Sequence, residues 1–337
     1  MMKPESMLRE VKVEDAVGMI LPHDLTQILP GTFKGRLFRK GHQVTEADIP
    51  ALLSIGKEHI YVMELQEGYL HEDEAAIRMA HAIAGDHVVL TEPHEGKVNV
   101  KSAIDGLVKI NRDFVDRVNA IDQIVVSTVR SNTVVKQGAS LVGTRVIPLI
   151  VEEAKIVEIE RLAAQMRAEG AALVEVKPFR KLRVGVITTG SEVFKGRIQD
   201  KFGPIVREKV AQLGSEVVAG RLVTDDSEAI VREIHALQAM ELDLILVTGG
   251  MSVDPDDRTP GAIKQAGARV VSYGTPMLPG SMLMIAYLGD VPVMGLPGCV
   301  MHDPYTSFDV LLPRICAGEE ITRSDITEMG YGGFYQC

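Results

Sequence analysis

The sequence predicts an α/β protein whose main body is a doubly wound, mostly parallel sheet, preceded by smaller β-rich and α+β parts. Three observations predict this. Short apolar runs alternate with helical stripes through the second half of the chain, the pattern of a sheet covered on both faces. The core must be aliphatic, because the 337 residues include no Trp and only 4% aromatics. Glycine-rich turns follow several of the runs, at the carboxyl ends of strands where open sheets build ligand crevices.

Composition narrows the class. At 46% hydrophobic and 24% charged the chain reads as a globular protein. Its net charge of −10 argues against general nucleic-acid binding. No apolar run has the length of a membrane span, and MMKPESMLREVKVED lacks the apolar stretch of a signal peptide. Cys299, Cys316 and Cys337 form neither a disulfide framework nor a metal spacing, so a reducing cytoplasm is expected.

Four segments are expected. Residues 1–70 alternate short apolar stretches with turns and read as a small β-rich module with one helix at 47–55. Residues 71–180 read as α+β. Ala76, Met79, Ala80 and Ile83 make one face of a helix over 71–84, strands and turns fill 86–151, and Ile159, Leu162, Ala163 and Met166 stripe a helix over 152–169. Residues 181–318 carry the alternation. Strands are expected at 183–188, 215–222, 242–248, 269–273, 282–287 and 291–295, and helices at 203–213, 226–240, 259–266 and 303–317. Asp225 and Glu228 look like a capping box for the helix at 226–240. The Gly-rich tail, 319–337, is expected to be loose.

The most informative stretch is LDLILVTGGMSVDPDDRTPGA, residues 242–262. A buried strand empties into Thr248-Gly249-Gly250, and a helix opens at Thr259-Pro260. Glycines let backbone N–H groups face an anion closely, and a helix N-terminus adds partial positive charge. Asp254, Asp256 and Asp257 would repel a bare phosphate unless a hard cation such as Mg2+ lies between. Four more turns belong to the same rim: Thr188-Thr189-Gly190-Ser191-Glu192, Asp200 before a helix, Leu278-Pro279-Gly280-Ser281, and Gly295-Leu296-Pro297-Gly298.

On these motifs residues 181–318 resemble the molybdenum-cofactor biosynthesis domain, the fold shared by molybdopterin adenylyltransferases and molybdotransferases. TTGSE is similar to the family's S/T-T-G-D/S-E turn, and TGGMSVDPDDRTPGAI to its T-G-G…D-x-T motif. LPGSM and GLPGC resemble its P-G-x and G-x-P-G loops. The full length, together with Ser102-Ala103-Ile104-Asp105-Gly106, which is similar to S-A-M-D-G-Y-A, favours the molybdotransferase branch.

The resemblance implies binding of molybdopterin or adenylyl-molybdopterin. It also implies hydrolysis of the adenylate with Mg2+, and insertion of molybdate as substrate. Glu192, Asp200 and Asp257 would be the catalytic acids, with Asp200 and Asp257 on the metal. Thr188, Gly190, Ser191, Thr248, Gly249, Gly250, Ser252, Pro279, Gly280, Ser281, Pro297 and Gly298 would hold the ligand. A small pterin ligand, no nucleic acid, no membrane, a homodimer or trimer, and a molybdoenzyme or cofactor-pathway partner are the implied associations. The pattern departs from the family in places. Met277, Ser281 and Met282 stand where the P-G-K-P loop carries lysine, Cys299 and Val300 replace Asn and Pro, and Leu107 and Val108 replace Tyr and Ala.

Each residue also has a plain reading. Asp257 and Asp200 could be helix caps, Glu192 a solvated loop carboxylate and Asp105 a turn former. Cys299 could fill a tight turn, and His302-Asp303 could simply start a helix. Two other functions therefore stand beside the transferase: a non-catalytic molybdopterin carrier or sensor, and a nucleotide pyrophosphatase of the competence-damage type.

Overall fold

The computed structural model describes residues 7–29, 33–63, 65–252, 254 and 256–335. The chain divides into two compact units. The first comprises 1–103, 109–131 and 138–175, and the second 104–108, 132–137 and 176–337.

The first unit is α+β. Strand Leu8–Lys12 pairs antiparallel with His59–Met63, and Leu25–Leu29 with Phe33–Phe38. Val13, Leu21, Val44, Leu52, Ile60 and Val62 share one small core there. Helix Glu72–Ile83 buries Ala76, Met79, Ala80 and Ile83, the face expected from the periodicity. It lies beside helix Glu153–Ala168, where the Arg78 guanidinium reaches Glu160 and Glu153. A four-stranded antiparallel sheet runs Val88–Leu90, Lys97–Ser102, Ser140–Val146, Ile124–Thr128. Arg112–Asn119 is a helix, which corrects the expectation of strands and turns throughout 86–151. The Asn111 side chain caps it by accepting from Phe114 N at 3.0 Å, and Phe114 and Val118 bury its single apolar stripe.

The second unit carries a six-stranded sheet. In chain order its strands are β1 (Arg183–Thr189), β2 (Glu216–Val223), β3 (Leu244–Thr248), β4 (Arg269–Tyr273), β5 (Met284–Leu288) and β6 (Val291–Leu296). Its helices are α1 (Ser191–Phe194), α2 (Phe202–Gln212), α3 (Ser227–Gln238), α4 (Thr259–Gln265), α5 (Ser307–Cys316) and α6 (Arg323–Glu328). The spatial order is β2-β1-β3-β6-β5-β4, parallel from β2 through β6, with β5 antiparallel to both of its neighbours, β6 and β4.

Strand alternation splits the core. Val184, Val186, Leu244 and Leu246 face α2 and α5, whereas Ile187, Ile245 and Val247 face α3 and α4. Phe308, Leu311, Leu312 and Ile315 pin α5 down, each buried side chain worth roughly 1.5–3 kcal/mol over exposure. The chain leaves β1 for β2 on one side and reaches β3 on the other, so the sheet order reverses between the carboxyl ends of β1 and β3. That is where an open α/β sheet forms its crevice.

Two expectations are corrected in this unit. Asp226, not Asp225, caps α3, accepting from Ala229 N at 2.9 Å. Asp225 instead accepts from Ser191 N at 2.8 Å and ties down the turn after β1. Over its described residues, 319–335, the tail is ordered rather than loose. Ile321 and Ile326 are buried, Thr322 and Asp325 form a capping box for α6, and Arg314 is clasped by Glu319 and Asp325.

Both edges of the sheet are guarded. On β2, Arg207 and Arg221 donate to the carbonyls of Val217 and Gly220, each at 3.1 Å. On β4, Arg269 pairs with Glu320 at 2.8 Å, and Arg323 of α6 donates to Ser272.

Candidate functional site

A cavity of about 630 Å3 opens at the carboxyl end of the sheet, within the range of small-molecule sites. Three of the sequence-derived turns line it. They contribute Gly249, Gly250, Ser252 and Asp257; Pro279, Gly280 and Ser281; and Pro297 and Gly298.

The Thr248-Gly249-Gly250 turn is clamped from α4. The Thr259 hydroxyl donates to Gly249 O at 2.8 Å, and Thr259 N donates to Gly250 O at 3.2 Å. Gly249 and Gly250 have φ of +88° and +55°. A Cβ on Gly249 would lie 2.6 Å from Thr189 O, so the turn needs glycine there both for its torsion and for the close approach of β1. The amide N–H groups of Gly250, Met251 and Ser252 donate to no acceptor among the described residues. The Tyr273 hydroxyl steadies the following segment, lying 3.0 Å from Met251 O and 3.2 Å from Ser252 O. Burial and then the Asp257 charge raise the Tyr273 hydroxyl above its ordinary pKa, which keeps it a donor.

Asp257 is half-buried and its carboxylate accepts no hydrogen bond from the described residues. It is not a helix cap: α4 begins after Arg258 without any side-chain cap. Asp200 is committed locally. Its Oδ1 accepts from Phe202 N and Gly203 N at 2.9 and 3.0 Å, and its Oδ2 accepts from Thr188 Oγ1 at 3.3 Å. Glu192 is exposed on α1. Thr188, Gly190, Ser191, Glu192, Thr248 and Asp200 are not among the residues lining the cavity. Thr248 is fully buried beneath it.

The Gly280 loop is locked by its carbonyl, which accepts from Ser307 Oγ at 2.7 Å, Thr275 Oγ1 at 2.9 Å and Leu283 N at 3.1 Å. Past Gly298, a short 3-10 turn over Gly298–Met301 presents Cys299 and Met301 to the cavity. The His302-Asp303 pair divides, with Asp303 on the cavity wall and His302 exposed. Away from the cavity, Asp105 braces a turn. It accepts from Gln137 N at 2.8 Å and Lys136 Nζ at 2.9 Å, bonds that hold its carboxyl below the usual range.

Electrostatically the cavity is unusual for an anion site. Among the described residues no Lys, Arg or His lines it; Asp257 and Asp303 are its charges, and Phe202, Met251, Leu278, Met282 and Leu296 supply apolar surface. Any anion there meets backbone N–H groups instead of cationic side chains. Among the described residues no three His, Cys, Asp or Glu side chains cluster to hold a metal. Mg2+ does not need such a cage, since it is commonly held by one or two carboxylates plus phosphate oxygens and water. The uncommitted Asp257 carboxylate fits that role. Asp200 fits it less well, because its oxygens already accept three hydrogens.

Sequence reasoning did not find Tyr273, Met251, Met301 or the clamp made by Thr259. Thr259 had a signal, the T-P that opens α4, which reads as a helix start. Tyr273 lies on a distant strand and has no local signal.

Residues 185–317 match a family described as a probable molybdopterin binding domain, and residues 10–64 match a domain of unknown function, DUF8806. The chain is 31% identical over 162 residues to a molybdopterin molybdenumtransferase of Staphylococcus aureus strain COL, an overlap of 44% of this chain and 38% of that one. It is 27% identical over 247 residues to the molybdopterin molybdenumtransferase of Synechococcus elongatus, an overlap of 67% and 57%. The chain thus spans about two fifths to three fifths of these relatives' length. Among solved structures, the molybdopterin biosynthesis enzyme MoaB from Thermus thermophilus is 26% identical, with a TM-score of 0.34 over 41% of this chain and 98% of that one. No helix among the described residues is long and apolar enough to cross a membrane.

Proposed function

Residues 185–317 match the molybdopterin-binding domain family, and from that match we propose that the chain acts in molybdenum-cofactor assembly as a molybdotransferase-like enzyme. The ligand is molybdopterin or adenylyl-molybdopterin, and molybdate is the second substrate. The observation that carries this reading is the pairing of an uncommitted Asp257 carboxylate with the undonated N–H groups of Gly250, Met251 and Ser252 in one cavity.

In this reading the phosphate would rest on those three N–H groups, Asp257 would hold Mg2+, and Asp200, whose oxygens already accept three hydrogens, would be the weaker second carboxylate. The ion supplies charge neutralisation on the phosphates, the main demand of nucleotidyl chemistry. Thr259 and Tyr273 keep the N–H groups aimed, so little reorganisation is needed as charge develops. Glu192 orients the attacking water or the ligand. That water's oxygen bonds to phosphorus as the P–O–P bridge breaks, giving AMP and the pterin phosphate, and its proton passes to solvent. A dimer or trimer, a cytoplasmic setting and hand-over to a molybdoenzyme or pathway partner belong to the same proposal.

The test follows AMP release from adenylyl-molybdopterin with Mg2+ and molybdate, using the full chain. Asp257→Asn should lower turnover about a hundredfold or more, as loss of a preorganised electrostatic group does. Full activity in that variant would remove Asp257 from the mechanism. Tight binding without AMP release by the unaltered chain would instead support a non-catalytic carrier, the reading favoured by the cation-free cavity wall. Cleavage of dinucleotides lacking any pterin would support the pyrophosphatase alternative.

A further inference from the structure

This chain has few aromatic residues, yet three of them, Tyr305, Phe334 and Tyr335, are brought together in the second unit beside Leu278, a residue of the cavity wall. The C-terminal segment brings them there. Leu278 N donates to Gly333 O at 2.9 Å, and Tyr335 N donates to Leu278 O at 2.8 Å, so the tail runs as a short parallel strand beside the Pro276–Leu278 loop. The close backbone approach needs Gly333, where a Cβ would lie 2.7 Å from Pro276 O.

The register of this ribbon decides which ring faces what. Phe334 is the residue bridged with Leu278. Directly paired residues project to the same side of a ribbon, and successive residues alternate. Phe334 therefore stands beside Leu278, and Leu278 lines the cavity. Tyr335 turns to the opposite side, where its ring meets Tyr305 edge-on with centroids 5.0 Å apart. Tyr335 is thus an anchor. Phe334 is left 78% exposed beside a half-exposed Leu278; Leu278 lines the cavity, and Phe334 stands outside that lining. A large ring in water at the rim of a ligand cavity is the arrangement expected of a stacking surface.

We propose that Phe334 is a ligand-binding residue, stacking on a flat fused-ring nitrogen heterocycle, pterin or purine, whose phosphate end lies on the Gly250–Ser252 amides. This rests on the reading of the cavity as a phosphorylated-heterocycle site. It assigns a binding role to the tail after α6, with Tyr305 and Tyr335 as positioning residues. Among the described residues, the cavity wall offers one aromatic side chain of its own, Phe202.

The test uses the full chain and two probes, the fluorescent 6-carboxypterin and Mg·AMP, with dissociation constants taken by titration. Phe334→Ala and Phe334→Leu should each weaken the probe that stacks by about tenfold, with Phe334→Tyr unchanged, as loss of one base–aromatic stack predicts. The probe that responds distinguishes pterin from purine. Phe334 is exposed, so these variants should melt within a degree or so of the unaltered protein. Tyr305→Ala should weaken the same probe and speed hydrogen exchange at the Tyr335 amide, a readout that Phe334→Ala should leave alone. Affinities within twofold in Phe334→Ala overturn the proposal while leaving the cavity reading in place. Weakening by Ala but not Leu overturns stacking in favour of plain apolar contact. Self-association that needs Phe334, with probe binding unaffected, reassigns the ring to a contact between copies. Failure of the unaltered chain to bind either probe removes the cavity reading itself.

Discussion

Replacing Thr259 by Val isolates the clamp on the Gly249-Gly250 turn. The two side chains have nearly the same shape, and position 259 is fully buried, so packing is preserved and the hydroxyl alone is lost. The lost bond is the 2.8 Å donation to Gly249 O, a carbonyl with no other described partner. Orphaning a carbonyl costs about 1–3 kcal/mol when it is buried, and Gly249 is half-buried on the cavity wall. For a folding unit of this size, a loss near the middle of that range lowers the melting temperature by about 4–8 °C. The control is Thr259→Ser, which keeps the hydroxyl and loses a methyl, at about 0.5–1.5 kcal/mol. Calorimetry on both variants, with titration of Mg·AMP or 6-carboxypterin, reads stability and affinity together. The expected pattern is that Val costs more than Ser in melting temperature, and that Val weakens the ligand several-fold because the Gly250–Ser252 amides lose their aim. If Ser costs more than Val, or Val melts like the parent and binds normally, then the hydroxyl does not hold the turn.

Other outcomes follow from the same geometry. Gly280→Ala should be severely destabilising, by roughly 3 kcal/mol or more, because its Cβ would lie 2.6 Å from Ser307 N at a φ of +117°; denaturant titration checks it. Burial pushes the Asp325 carboxyl up, but its hydrogen bonds from Thr322 and Arg314 outweigh that and hold it below the usual carboxylate range. Its contribution is therefore present above the unfolded carboxylate pKa and fades as pH falls through the lower folded value. Asp325→Asn should be destabilised at pH 7, with a gap that closes below about pH 4, in melts run across that range. Burial raises the Cys316 thiol to about 11. In a Cys337→Ser background, with position 337 outside the described residues, alkylation at pH 8 read by mass spectrometry should modify Cys299 about a hundredfold or more faster than Cys316. Bound ligand should slow the reaction at Cys299, which lines the cavity.

The parallel part of the sheet was legible because its strands are near-continuous aliphatic runs, and the crevice because glycines follow β1 and β3 directly. What escaped was decided by distance or by equivalence. Asp225 and Asp226 are adjacent and chemically alike, and only the path of the turn after β1 tells which caps α3. Helix Arg112–Asn119 has just two buried apolar residues, Phe114 and Val118, too few to register as a stripe beside strands. Strand Val174–Pro178 escaped although Gly170, at φ +81°, marks the end of the helix before it, because the strand is only five residues long and closes on a proline. The tail reads as loose because of its glycines, yet Gly333 is what lets it lie against Pro276. For the site, local motifs named the backbone cradle but not Tyr273, and they could not tell that Asp200 would spend its oxygens on α2 while Asp257 stayed uncommitted.

The guarded rims of the sheet limit how copies of this protein can meet. An open strand recruits another by offering a row of unanswered carbonyls and amides. Here Arg207 and Arg221 occupy two of those carbonyls on β2, and α6 flanks β4 at the other rim. Joining copies into one continuous sheet would first require pulling those guanidiniums away. Pairing of copies through this sheet is therefore disfavoured relative to contact through its helix faces or loops, and a variant lacking both arginines would be the one to watch for ribbon-like aggregation at high concentration.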